Sequence, residues 1–97
     1  MALKKLYIDA VEGLTYITHP ELHAGAEIFQ VMREGKMRVP TTGTPTGKEF
    51  KHSGGETKIE FDADQPFVMQ SLPGVPDPSG TIDLVPTPEV IYVKYKS

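Results

Sequence analysis

Residues 48–62 read KEFKHSGGETKIEFD, two short segments separated by a Ser-Gly-Gly-Glu turn. Phe50 lies in the first segment and Ile59 and Phe61 lie in the second, while Lys and Glu occupy most of the intervening positions. Alternation with a period of two is typical of a half-buried β-strand, and a short Gly-containing connection joins two such strands into a hairpin. We therefore predict an antiparallel hairpin whose three apolar side chains share one face.

The same period recurs on both sides of this hairpin. It predicts strands over residues 3–10, 14–18, 27–33, 36–39 and 89–96, with a further short strand over residues 81–85. In the strand over 27–33, strict alternation places Ile28 and Met32 on one face, and Phe29, Val31 and Arg33 on the other. Because both faces carry apolar residues, this strand is expected in the interior of a sheet.

Glycine and proline each contribute nine of the 97 residues. Neither is tolerated well inside a helix, so the chain is expected to form short extended elements. Two Pro/Gly-rich segments, over residues 40–47 and 64–88, separate the predicted strands. The sequence therefore predicts an all-β fold: one domain over residues 1–97, a small antiparallel β-sandwich or open barrel of about six to eight short strands with two long loops.

Charge argues against nucleic acid as a partner. The formal net charge is −3, and no Lys or Arg occurs between residues 59 and 93, whereas binding to phosphates needs clustered basic residues. No apolar run is long enough to span a bilayer, so no membrane association is expected. Residues 1–7 carry two lysines without a following apolar segment, so secretion through a signal peptide is not expected either.

No cysteine is present, so disulfides cannot stabilise the small core. The sequence is therefore that of a protein made in a reducing compartment or stabilised by assembly with other chains.

Residues that could support catalysis or bind a metal are sparse. His19, Glu21 and His23 are weak candidates for a metal site, because Pro20 separates them and no third His or Cys follows at a suitable spacing. His52 and Ser53 are adjacent, and neighbours on a strand point to opposite faces. We therefore predict no enzyme activity, no metal and no cofactor. A small metalloprotein using His19 and His23 remains the second alternative.

The segment over residues 64–88 carries too many apolar side chains for a disordered linker. Long loops in compact domains are usually functional, and apolar side chains anchor protein interfaces. The candidate interface residues are Phe67, Met69, Leu72, Val75, Thr42 and Thr44. We predict a structural or interaction protein that binds other protein chains, as a homo-oligomer or in a larger assembly. A carbohydrate- or ligand-binding module using Tyr92 and Tyr95 is the first alternative.

Five stretches in roughly the last two thirds of the chain carry a resemblance to a known family: residues 33–35, 45–50, 59–62, 66–67 and 89–96. They resemble small β-sandwich proteins encoded by tailed bacteriophages and assigned to the virion. Residues 72–88 depart from that pattern. The resemblance implies an assembly role in a capsid, tail or fibre, in a virion assembled in the host cytoplasm among other virion proteins. It implies no active-site residues.

Overall fold

Ten extended strands, with no α-helix among them, form the regular structure of the computed structural model, which describes residues 3–96. The strands are β1 (Lys4–Asp9), β2 (Tyr16–Thr18), β3 (Glu27–Arg33), β4 (Lys36–Met37), β5 (Val39–Pro40), β6 (Glu49–Ser53), β7 (Lys58–Glu60), β8 (Gln70–Pro73), β9 (Leu84–Thr87) and β10 (Val90–Lys96). Two single 3₁₀ turns, Pro20–Leu22 and Gly54–Glu56, are the helical elements of this range. The predicted all-β class is confirmed.

Two four-stranded sheets face each other across one core. The first has the order β1-β10-β3-β4 and is antiparallel throughout. The second has the order β2-β7-β6-β5, in which β5 runs parallel to β6. The buried apolar side chains come from both sheets and their connections: Ala10, Ile17, Leu22, Val31, Phe50, Ile59, Phe61, Phe67, Ile91, Val93 and Tyr95. The arrangement is a β-sandwich.

The hairpin predicted over residues 48–62 forms as β6 and β7. His52 lies opposite Ile59, and the connection is the 3₁₀ turn Gly54–Glu56. Phe50, Ile59 and Phe61 are all buried, as predicted. The His52 ring nitrogen Nε2 also lies 2.9 Å from the carbonyl oxygen of Leu22, which ties the hairpin to the connection between β2 and β3.

A β-bulge breaks the strict alternation expected for β3. Lys94 pairs with Gln30 and Tyr95 pairs with Ile28, so Phe29 is the extra residue. A bulge moves the residues beyond it to the opposite face. Ile28 therefore packs against the core on the same side as Val31, and Phe29 stays half exposed. The predicted face assignment was wrong at this point, although β3 does lie inside the sheet.

Residues 36–39 do not form the single strand that was predicted. Lys36 and Met37 pair with β3 in the first sheet, whereas Val39 and Pro40 pair with β6 in the second. Between them, the Arg38 N–H donates to the carbonyl of Val31 at 2.9 Å. The chain crosses from one sheet to the other at this corner.

The turn between β3 and β4 has positive φ at both central residues, 56° at Glu34 and 71° at Gly35. Paired positive φ values belong to the hairpin turn whose twist matches that of its strands.

We expect Gly35→Ala to lower the free energy of unfolding by roughly 1–2 kcal/mol, because an L-residue is strained at positive φ. A Cβ at Gly35 would meet no atom within 4 Å, so the effect is one of backbone conformation alone. The matched control is Gly55→Ala, which has equally open space and no positive φ, and which should change stability by less than about 0.5 kcal/mol. Urea unfolding of both variants measures the difference, and equal losses would contradict the assigned turn.

Candidate protein-binding arm

Residues 68–88 form a projecting hairpin, which we call the arm. Its strands, β8 and β9, pair antiparallel with Leu72 opposite Val85 and Pro73 opposite Leu84. They pack on each other, with no comparable packing on either four-stranded sheet. The molecule measures 52 × 33 × 21 Å, with a radius of gyration of 15.7 Å. A compact chain of this length would have a radius of gyration of about 12–13 Å, so the arm extends the molecule.

Apolar side chains are exposed on both faces of the arm. Leu72 and Val85 share one face and Leu84 lies on the other, because successive residues of a strand point to opposite sides. Val75, in the loop after β8, is 91% exposed. Three further exposed apolar residues of the arm are Val68, Met69 and Ile82. Because a lone two-stranded hairpin is marginal in water and exposed apolar patches mark contact sites, the arm is the strongest candidate binding surface.

The tip of the arm is ordered by the carboxylate of Asp77. Its Oδ1 accepts from the Ser79 hydroxyl at 2.6 Å, from the Ser79 N–H at 3.0 Å and from the Thr81 N–H at 2.9 Å. The Ser79 hydroxyl, followed by the Thr81 N–H, lowers the pKa of Asp77 below its ordinary value, since both favour the charged form. The loop therefore holds a defined shape without a core of its own.

A buried ion pair fixes both ends of the arm. Arg33 Nε and Glu89 Oε1 lie 3.2 Å apart, and both side chains are 3% exposed. The second carboxylate oxygen of Glu89 accepts from the Val68 N–H at 2.8 Å, at the start of the arm. Arg33 Nη2 also donates to the carbonyl of Pro66 at 3.3 Å. Since Glu89 directly follows the arm, one pair of side chains holds the departing and the returning chain.

Two aromatic rings complete the surroundings of the Arg33 guanidinium. Its central carbon lies 4.6 Å from the centroid of the Phe67 ring and 5.5 Å from that of Phe61. The two rings meet edge to face, with centroids 5.7 Å apart. A cation over aromatic faces is stabilised most where water is excluded. The Arg33–Glu89 pair, which we call the anchor, is therefore held by charge, hydrogen bonds and packing against two rings.

Phe67 was predicted as an interface residue, and the structure corrects this. It is 1% exposed and belongs to the core. Its backbone also bonds to the connection before β2, donating to the Leu14 carbonyl at 2.8 Å and accepting from the Gly13 N–H at 2.9 Å. Phe67 therefore belongs to the body of the molecule, and the arm begins at the next residue.

The other predicted interface residues remain on the surface. Met69, Leu72 and Val75 lie on the arm and are exposed. Thr42 and Thr44 are exposed on the loop between β5 and β6, which is not part of the arm. That loop is held by the Asp62 carboxylate, which accepts from the Gly47 N–H at 2.7 Å.

Tyr92 and Tyr95, the candidate residues of the alternative ligand-binding module, lie on opposite faces of β10. Tyr92 points away from the core and stacks at 5.3 Å on Tyr7 in a tilted geometry. Tyr95 is 3% exposed and donates its hydroxyl to Glu21 Oε2 at 3.2 Å. Burial, and then the nearby Glu21 carboxylate, raise the pKa of Tyr95. A buried ring cannot stack on a ligand, so Tyr95 leaves the set of candidate ligand-binding residues.

The candidate metal ligands act in local backbone hydrogen bonds. His19 precedes the 3₁₀ turn Pro20–Leu22, and its Nδ1 accepts from the Glu21 N–H at 3.1 Å. His23 Nδ1 accepts from the Gly25 N–H at 3.0 Å. Among residues 3–96, no group of three or more His, Cys, Asp or Glu side chains is placed to hold a metal ion.

A shallow groove lies between the ends of β1 and β2, with Ile8, Val11, Tyr16 and Ile17 in its lining. Its volume is about 100 Å³, whereas small-molecule sites usually offer roughly 300 Å³ or more. Within the described part of the chain, no helix has the length and apolar character to cross a membrane.

Sequence reasoning missed the anchor and half of the arm. Arg33 alternates with buried Val31, and Glu89 precedes the most regular strand, so inward-pointing partners could have been suspected from the pattern alone. Strand β8 carried no such signal, because the stretch QSLP has no alternation. Its extended form depends on pairing with β9.

Comparison of the chain with protein-family models, with curated proteins and with solved structures found no match in any of the three.

We expect Arg33→Met to lower the free energy of unfolding by about 3–5 kcal/mol, because the Glu89 carboxylate would stay buried without its partner. Lys58→Met is the matched control, since Lys58 pairs with Glu56 at 3.0 Å on the surface, and surface pairs contribute little. Chemical denaturation compares the two variants. A loss for Arg33→Met as small as that for Lys58→Met would contradict the anchor.

We expect the arm tip to loosen in acid. The folded-state pKa of Asp77 lies below its ordinary value of 3.8. Its stabilising contribution is therefore present above that value and is lost as the pH falls through the folded pKa. NMR should show lower protection factors for the Ser79 and Thr81 amides, each taken relative to the intrinsic exchange rate at that pH, as the pH drops below about 4, and Asp77→Asn should remove this dependence. Unchanged protection factors in the wild type would contradict the role of Asp77 at the arm tip.

Proposed function

We propose that this protein is a non-enzymatic structural component that holds protein chains together, with further copies of itself as its first partners. The observation that carries the proposal is the arm. Its apolar side chains are exposed on both faces, and neither sheet of its own chain covers them. Exposed apolar surface of this kind is stabilised by contact with another protein.

The arm is prepared for binding before a partner arrives. Its base is fixed by Arg33 and Glu89 and its tip by Asp77. Ordering a flexible segment opposes association, so a hairpin that is already ordered binds with a smaller entropic cost. The same ordering fixes the position of the arm relative to the sandwich, which suits a fixed geometry between subunits.

The charge of the arm indicates the chemistry of its partner. Asp77 and Asp83 are the charged residues between 68 and 88, so the arm has a formal charge of −2. An acidic surface repels phosphate backbones and is complementary to an apolar surface beside basic side chains. Protein surfaces with that composition are the partners that we infer.

Assembly into a bacteriophage virion is the setting that we propose. The resemblance to small virion β-sandwich proteins supports it, as does a fold in which a stable sandwich presents one projecting arm. Capsids, tails and fibres repeat one contact many times, and a pre-ordered arm supplies such a contact. In this setting the chain is made in the host cytoplasm and acts in the virion, as a capsid, tail or fibre accessory protein.

Native mass measurement and sedimentation of the purified chain test the self-association. We expect oligomers at micromolar concentration, and weaker association in the double variant Val75→Asp/Leu84→Asp, which we call the arm variant. Burying unpaired carboxylates costs several kcal/mol, so the dissociation constant should rise by about 100-fold or more.

The control is Val39→Asp, which places one carboxylate on a valine that is 58% exposed in β5, in the second four-stranded sheet and away from the arm. It should associate like the wild type. A wild-type chain that stays monomeric at these concentrations, or an arm variant that associates normally, would count against the proposed function.

A further inference from the structure

The outer face of the first sheet carries an uncovered apolar row. Tyr7 lies opposite Tyr92, Tyr92 opposite Met32, and Met32 opposite Met37, so the row crosses all four strands. Tyr7 is 70% exposed and Met37 is 59% exposed. The rings of Tyr7 and Tyr92 are in contact at the centre of the row, with centroids 5.3 Å apart and planes tilted by 56°. We call it the tyrosine–methionine row.

Basic side chains lie along one side of this row. Lys5 is directly opposite Lys94 on neighbouring strands, one step along from the tyrosines on the same face. Like charges in that position repel each other. Neither ammonium group forms an ion pair with a carboxylate among residues 3–96. On the other side of the row, Asp9 lies opposite Val90, so the face has a basic side and an acidic side.

We propose that the tyrosine–methionine row is the surface on which the arm of a second copy of this chain docks. This inference rests on the proposed self-association and names both of the surfaces that meet. The arm offers exposed apolar side chains and a formal charge of −2, while the row offers exposed apolar side chains beside Lys5 and Lys94. The acids of the arm lie towards the lysines, which sets the direction in which the arm crosses the sheet.

The chemistry of the arm favours contact through its faces over strand addition at its edges. Pro73 lies in β8 and Pro86 in β9. Proline has no N–H, and in a paired strand it is tolerated where that missing donor falls on the free edge. Each free edge of the arm therefore lacks one donor that an added strand would need. Side-chain packing on a flat sheet face needs no such donors.

This contact joins two different surfaces, so each copy can bind one neighbour through its arm and a second neighbour through its tyrosine–methionine row. Such heterologous contacts produce a closed ring when the rotation closes and an open filament when it does not. They also allow a complementation test, because a copy with a mutated arm keeps an intact row, which can still bind the intact arm of a copy with a mutated row.

The test uses the arm variant and a row variant, Tyr7→Asp/Met37→Asp. Each variant by itself lacks one half of every contact, and we expect each to be monomeric at concentrations where the wild type assembles. In an equimolar mixture, the intact arm of the row variant meets the intact row of the arm variant. Native mass spectrometry should then show one-to-one heterodimers that grow no further. Circular dichroism confirms that both variants stay folded.

A second row variant, Lys5→Glu/Lys94→Glu, keeps the apolar row and reverses the adjacent charge. We expect its dissociation constant to rise at least 10-fold, and the increase to shrink as salt screens the charges. Val39→Asp again serves as the control and should assemble like the wild type.

The outcomes separate this inference from the proposed function. If the row variants assemble as well as the wild type, the docking site is overturned while self-association stands. The same conclusion follows if each variant by itself is monomeric and the mixture of the arm variant with the row variant also stays monomeric. A monomeric wild type would overturn both.

Discussion

The ion pair between Arg33 and Glu89 is the interaction on which the shape of this molecule depends. Two charges removed from water stabilise a fold only when their remaining hydrogen-bonding groups are satisfied. Here the carboxylate accepts from the Val68 N–H and the guanidinium donates to the Pro66 carbonyl, so both charges are bound by the chain that enters the arm. The buried pair therefore fixes the position of the chain at the start of the arm.

This anchor separates two kinds of apolar residue that are adjacent in sequence. Phe67 packs under the Arg33 guanidinium and is buried, whereas Val68 is 53% exposed. The change occurs where the backbone leaves the Phe67 hydrogen bonds to the connection before β2 and reaches the Glu89 carboxylate. The sandwich thus completes its own core, and the apolar residues beyond it are available to other chains.

The arm and the outer face of the first sheet are alike in one respect. Each exposes apolar side chains on the face of a paired sheet, where side chains and not backbone groups are available for contact. Both surfaces gain when their apolar area is covered. Their opposite local charges allow the two to meet in one orientation. A small protein without disulfides or a large core can therefore gain stability from its neighbours.

The sequence alone determined the all-β class, the β6–β7 hairpin and most of the strands, because the alternation of apolar and polar residues can be seen within each short segment. It also showed that residues 64–88 contain more apolar residues than a disordered linker would. Only the tertiary structure decided that Phe67 is core, that Ile28 faces the core while Phe29 does not, and that β8 is a strand. Each of these depends on a partner distant in sequence: Arg33, the bulged pairing of β3 with β10, and β9. Local periodicity cannot encode such pairings, since the residues that cover a side chain are close to it in space but distant in sequence.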